Sequence, residues 1–265
     1  MEEPGLQYCQ YGVEKTNMNV AMMQPAFMPW QGFFELIYKA DVFILLDDFQ
    51  FSAQSYHQRN RLFVNKDQID WYIVPVQKSI SFKLPLNQTI TNETTFWRKK
   101  MWKRIHQNYS RSQYYSEFAP FIEKWISTPM ESLAAQNIEL IKFICEKIDI
   151  RLEFRLSSQY PSGLHRSARV VELLRSCHAD RYYCARGSFL YMLEDGIFPL
   201  HDIQVLFQDF QPGTYEQIGS PGRFITNLSI IDALMNIGAE GTAELVKKGT
   251  RKWLTWEEMT ALKSH

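Results

Sequence analysis

Residues 42–46, Val-Phe-Ile-Leu-Leu, form an unbroken apolar run that ends abruptly in two carboxylates, Asp47 and Asp48. The run is too short for an ordinary helix and is rich in branched and aromatic side chains. That composition predicts a strand buried on both faces. In open parallel sheets, ligands bind in the crevice beyond the carboxyl ends of such strands. Acids at that point are therefore candidate site residues, with turn or cap residues as the competing account.

The neighbouring sequence extends the pattern. "NVAMMQP" reads as a first strand ended by Pro25. In "PWQGFFELIYKA", Trp30, Phe33, Phe34, Ile37 and Tyr38 fall on one helical stripe, with Pro29 at a helix start. Strand, helix, strand is a βαβ unit, whose strands should be parallel. A polar segment then leads to a third strand, "DWYIVPV", and a turn-like stretch, "KSISFKLPLNQTITNET". Helices are expected over about 95–108, 116–127 and 130–147, and strand character resumes in "IRLEFRLSS". An amphipathic helix, "HRSARVVELLRSCHA", a short strand, "DRYYCA", and a helix closed by Gly238 follow. The fold class is α/β, with a mainly parallel sheet opened by a βαβ unit and helices inserted between two halves. Residues 1–17 read as a flexible leader and 18–240 as one domain, with two lobes at about 18–115 and 150–240. Residues 241–265 read as a helical tail.

With 29 basic and 29 acidic residues the chain is formally neutral, so no global field favours nucleic acid or an anionic membrane. The four cysteines, Cys9, Cys145, Cys177 and Cys184, make no metal-ligand spacing and read as free thiols in a reducing compartment. The acidic, polar opening has no apolar signal core, and no segment approaches membrane-spanning length. The expectation is a cytoplasmic protein acting on a small molecule, with no nucleic-acid or membrane partner.

Several polar groups converge if the two strands are neighbours. Gln24 leaves the first strand. Asp47, Asp48 and Gln50 leave the second, and Arg59, Asn60 and Arg61 follow in the next loop. Carboxylates can receive a proton from an amine, bind magnesium or anchor a sugar. The two guanidiniums of "RNR" suit phosphate or carboxylate, or else an ion-pair network that staples the loop. His57, the histidine inside this cluster, is a candidate base. In "ARGSFLYM", Arg186, Gly187 and Ser188 could open a helix as an anion site, or form a plain turn. Trp30 is a candidate substrate-binding aromatic, although an aromatic stripe at helical spacing more often builds core. No metal set is assigned and no cofactor is required by the residues.

The stretch from "MMQPAFMPWQGFF" through "ADVFILLDDFQFS" to "YHQRNRLF", all between residues 22 and 63, resembles the opening of the WbqC-like family. Members carry a QPxxxPWxGYF segment, an aDvFvxlDdvQFs segment, and an aromatic followed by RNRI. Here Phe33 and Phe34 cover Tyr-Phe, Tyr56 stands at the usual tryptophan, and Leu62 replaces the isoleucine. "YYCARGSFLYM" and "FITNLSIIDALMNIG" match later segments more loosely, so the resemblance spans about Asn19 to Gly238. It implies an enzyme from O-antigen and other surface-polysaccharide biosynthesis, or a related cluster. The expected activity is a transferase moving an acyl or aminoacyl group to an amine of an activated sugar or similar metabolite. It carries over Gln24, Asp47, Asp48, Gln50, Arg59, Asn60 and Arg61.

Two other functions fit the residues. One is a magnesium-dependent nucleotidyltransferase-like enzyme, although Trp30 and Phe33 stand where HxGH-type enzymes have histidines. The other is a non-catalytic binding or scaffold module. For that role, Trp253 and Trp256 in the tail suit a short amphipathic helix docked on a partner or on a second copy in a homo-oligomer, or packed on its own domain.

Overall fold

The computed structural model describes residues 17–77 and 84–263. Residues 1–16 of the expected leader, Cys9 among them, and all of "KSISFK" lie outside the described residues. Strand β1 (Asn19–Met23), helix α1 (Gln31–Lys39) and strand β2 (Val42–Leu45) form the expected unit. β1 and β2 pair in parallel, with Val20 opposite Val42 and Met23 opposite Leu45. Every residue of β2 is buried, and each such side chain contributes about 2 kcal/mol by leaving water.

Three helices intervene before the sheet resumes: α2 (Trp97–Tyr109), α3 (Tyr115–Ser127) and α4 (Leu133–Lys147). Strand β5 (Glu153–Leu156) then adds beside β2, helix α5 (Arg166–Ser176) crosses over, and β6 (Arg181–Cys184) pairs with β1. Helix α6 (Ser188–Asp195) leads to β7 (Gln204–Phe207), which extends the other edge. The five strands run parallel in the order β5-β2-β1-β6-β7. Chain progress reverses direction between β1 and β6, which makes that pair the topological switch point.

Strand alternation divides the apolar side chains between two layers. Ala21, Phe43 and Leu45 face α1 and the inserted helices, alongside Phe33, Phe34 and Ile37. Val20, Met22, Val42 and Ile44 face the other side, packed with Val170 and Leu173 of α5 and Phe189 and Met192 of α6. Helices therefore cover both faces, as the continuous apolar run of β2 requires.

Two features depart from the sequence reading. Residues 59–61, expected in a loop, lie in strand β3 (Arg59–Asn65). The expected third strand starts and stops earlier, as β4 (Gln68–Ile73), and pairs antiparallel with β3 in a hairpin outside the main sheet. The cause is local. The turn after Asn65 is tight, with Asp67 in the left-handed region at φ 57°, so the segments on either side must pair with each other. β7, which the sequence reading does not anticipate, is four residues long.

Helix α7 (Ile230–Lys248) kinks at Gly238, whose φ of 71° and ψ of −174° interrupt the helical path. The expected stop at this glycine is real, but the chain resumes helical form beyond it. A last helix, α8 (Trp256–Lys263), lies against β7. Leu254 exchanges backbone hydrogen bonds with Phe207 at 2.8 and 2.9 Å, and Trp256 packs on Phe189 with ring centroids 5.0 Å apart. The two tail tryptophans are thus engaged by their own domain, since Trp253 also meets Tyr183 edge-on at 4.9 Å. Among the described residues no helix is long and apolar enough to cross a membrane.

Candidate functional site

A cleft of about 1210 Å³ opens beyond the carboxyl ends of β1, β2 and β6. Its floor carries Met23 and Gln24 from the end of β1, Leu46 and Asp48 from β2, and Ala185 and Gly187 after β6. The cleft therefore sits at the switch point, and its volume exceeds the roughly 300–1,000 Å³ usual for small-molecule sites. One wall is the segment after β2, with Gln50, Tyr56 and His57. The opposite wall is built by α5 and α6, with Leu164, His165, Arg166, Arg169, Ser188, Tyr191 and Glu194.

The adjacent aspartates diverge. Asp47 is 4% exposed and accepts from the Ser158 backbone N–H at 3.0 Å and Oγ at 2.7 Å, from Ser157 Oγ at 3.2 Å and from Asn87 at 3.4 Å. It thereby holds the 3-10 turn at Ser157–Gln159 that follows β5. Asp48 turns the other way, into the cleft. One of its oxygens accepts from Ser157 Oγ, and the other lies 3.4 Å from Arg169 Nη2. The Asp48 side chain is 29% exposed, against 4% for Arg169. Arg169 is held in turn by Glu172 at 2.5 Å and the Ser157 carbonyl at 2.9 Å. The sheet end thus presents an anchored ion pair with one carboxylate edge open to a ligand.

Across the cleft, His57 is 8% exposed. Burial, which disfavours the charged ring, pushes its pKa down to about 4. It is therefore an uncharged imidazole at neutral pH. Gln24 Nε2 donates to the Gln50 carbonyl at 3.4 Å, which turns Gln24 Oε1 toward His57 Nε2 at 2.9 Å. The ring proton then sits on Nε2, and Nδ1 has no partner among the described residues. Asn137 of α4, fully buried, fixes this wall by donating to the Pro25 and His57 carbonyls at 3.0 and 2.8 Å.

The structure thus brings Gln24, Asp48, Gln50, His57, Gly187 and Ser188 to one cleft. The other sequence-derived candidates are elsewhere. Asn60 is buried and donates to the Phe27 and Met28 carbonyls at 3.3 and 2.7 Å. Arg59 and Arg61 stack on Trp71 of the hairpin. Arg186 pairs with Asp209 at 2.7 Å. Trp30 lies over Gly32, where any Cβ would collide with its ring, and meets Phe210 at 4.9 Å.

Of the second wall, Ser188 was among the sequence candidates, but the part contributed by α5 and the residues before it was not. Arg166 opens α5 with φ 51°, a left-handed conformation costly for a residue with a Cβ. It spans to α6 by contacts of 3.2 Å to Glu194 and 2.8 Å to Asp195. A weaker signal for it lies in the sequence: "HRSAR" begins at His165, within the long connection beyond the carboxyl end of the strand that ends at Leu156. Among the described residues no group of three or more His, Cys, Asp or Glu side chains is placed to hold a metal ion, and Asp47 already accepts four hydrogen bonds.

Fold and cleft define a class: an α/β protein with helices on both sheet faces and a ligand-sized cleft at its switch point. Within that class the chain belongs to the WbqC-like protein family, whose profile matches residues 24–244. An uncharacterized protein of Mycobacterium tuberculosis is 28% identical over 223 residues, covering 83% of this chain and 94% of the relative. No solved structure matches the chain.

Proposed function

We propose that the chain is an enzyme that holds a small metabolite in the switch-point cleft and transfers an acyl or aminoacyl group to its amine. The observation that carries this reading is the divergence of the two aspartates. Asp47 is consumed by the turn after β5, while Asp48 offers a carboxylate edge to the cleft, its charge balanced by a buried arginine. An amine entering there meets Asp48, which orients it. As the nitrogen bonds the acyl carbon of a thioester donor, the carbon–sulfur bond breaks. Asp48 takes the amine proton and passes it to the departing thiolate, which leaves as the thiol. His57, uncharged and fixed by Gln24, belongs to the wall formed by the segment after β2, with Nε2 on Gln24 and Nδ1 out of water, and serves to hold Gln24 in place. Leu164, Tyr56 and Tyr191 supply apolar surface along the cleft against which a substrate can pack. Among the described residues the serine on Asp48, Ser157, is fully buried and no cysteine is hydrogen-bonded to a base, which favours direct transfer, with the cleft acting by positioning. The choice of an activated sugar of surface-polysaccharide biosynthesis as acceptor follows the family resemblance.

The test is a thermal-shift panel of nucleotide-linked amino sugars, acyl thioesters, and nucleoside triphosphate with magnesium. The expected result is stabilisation by an amino sugar or thioester, lost in Asp48→Asn. Asp47→Ala should instead lower the melting temperature without ligand, by about 2 kcal/mol of lost hydrogen bonding. Stabilisation by triphosphate and magnesium alone, or an Asp48→Asn protein that responds like the parent, would overturn the reading.

A further inference from the structure

Arg59 and Arg61 lie two residues apart on β3, and so on one face of the hairpin. Trp71 of β4, directly opposite Arg61, presents its ring to both. The guanidinium carbon of Arg59 is 4.2 Å from the ring centroid and that of Arg61 is 5.7 Å away. Neither has a carboxylate partner among the described residues. Arg59 makes no side-chain hydrogen bond there either, and Arg61 makes one, to the Asn227 carbonyl at 3.3 Å. The Nε atom of each is out of water and without a partner. The two acids of the same hairpin are engaged elsewhere, Asp70 by Arg104 at 2.7 Å and Asp67 by Ser220 Oγ at 2.5 Å. The deeply buried arginines elsewhere are treated differently: Arg98 is matched by Glu93, and Arg169 by Asp48 and Glu172.

Two like charges gathered on one indole, partly desolvated and unneutralised, are unfavourable unless an anion completes them. Stacking on Trp71 fixes the plane of the Arg59 fork, so little freedom remains to be lost when an anion docks. One guanidinium saturates a single carboxylate, whereas two side by side match a diphosphate. The patch also adjoins the cleft. The Tyr56 ring, 5.8 Å from Trp71, lines the cleft wall and is 52% exposed.

We propose that Arg59 and Arg61 form an anion subsite for the diphosphate of a nucleotide-linked substrate whose remaining part occupies the cleft. The inference rests on the reading of the cleft as a small-molecule site and specifies the substrate class as a nucleoside diphosphate derivative. Tyr56 and Trp71 form the aromatic path between the two parts.

Isothermal titration of the full chain with inorganic pyrophosphate, and separately with UDP, tests it. The expected result is saturable binding of both, with UDP tighter. Arg59→Gln and Arg61→Gln should each weaken pyrophosphate binding by about tenfold or more, and Arg59→Lys, which keeps charge but loses the fork, should fall between. Arg151→Gln, at an exposed pair with Asp149, should bind as the parent does. Melting temperatures of all four variants identify any that fail to fold, and Arg59→Lys retains the test if the glutamine variants do. Absent pyrophosphate binding, parent-like affinity in the folded arginine variants, or equal weakening by Arg151→Gln would overturn the subsite. UDP no tighter than pyrophosphate would overturn its connection to the cleft. Pyrophosphate needs only the arginines, so its result stands whether or not an amine-bearing ligand enters the cleft, and the two failures are distinguishable.

Discussion

Asp47 and Asp48 are chemically identical neighbours with opposite roles in the fold, and only their partners separate them. Partners that differ, Ser158 on Asp47 and Arg169 on Asp48, lie more than a hundred residues away in sequence, while the Ser157 hydroxyl lies near both. The sequence shows that acids end a buried strand, but it cannot show which of them the β5 turn consumes. His57 illustrates the same limit: its place in a polar cluster is legible, its burial is not. Burial has a measurable consequence. Its folded pKa of about 4 lies below the ordinary 6.5, so between these values the unfolded chain binds a proton that the folded chain refuses. Stability should therefore rise with pH through the window from about 4 to 6.5, by up to about 3 kcal/mol. In His57→Gln that part of the acid dependence should vanish. Melting temperatures of both proteins across that window check it; parallel curves would show that His57 is not the source.

At the scale of elements, the βαβ unit was readable because its signals are local: an apolar run, a helical stripe and a proline before the helix. The motif "PWQGF" was also visible, but its use was not. Trp30 folds back on Gly32, which makes the pair a packing device at the start of α1. Gly238 was readable as a helix stop; a Cβ there would meet the Tyr114 ring, and its positive φ suits glycine. The hairpin is not legible locally, because the polarity of "RNR" resembles a loop and only its pairing with Trp71, Tyr72 and Ile73 makes it a strand. Helix α7 begins with the least visible device. Asp232, fully buried, accepts from Tyr109 Oη at 2.8 Å, Tyr215 Oη at 2.7 Å, Gln217 at 2.9 Å and Asn236 at 3.4 Å. Burial pushes its carboxyl above the ordinary range, while these donors oppose the shift. Asp232→Ala would strand those donors in the core, costing about 3 kcal/mol or more, or roughly 10 °C in melting temperature. Calorimetry would contradict this account if the loss were under about 1 kcal/mol.

For the whole molecule, sheet order locates the cleft. Strands β2 and β5 grow from one side of β1 and β6 and β7 from the other, so the loops after β1 and β6 part and leave space between them. The inserted helices support one wall through Asn137, and the tail closes the far edge beside β7 without reaching the cleft. The first βαβ unit, the inserted helices and the parallel arrangement follow from hydrophobic patterning, β3 and β7 do not, and the α5 part of the second wall emerges only once β6 is seated beside β1. The account's central claim is that ligand occupies this space. Gly187 lines it with an ordinary φ of −64°, and a Cβ built there meets no atom within 4 Å. Gly187→Trp should therefore fold with nearly parental stability while placing an indole at the cleft floor, between the ends of β1 and β6. The decisive measurement is titration of the parent and Gly187→Trp with the nucleotide-linked amino sugar that most stabilises the parent. The account predicts saturable binding by the parent and at least about a hundredfold weaker binding by the variant; equal affinity in a folded Gly187→Trp protein would contradict it.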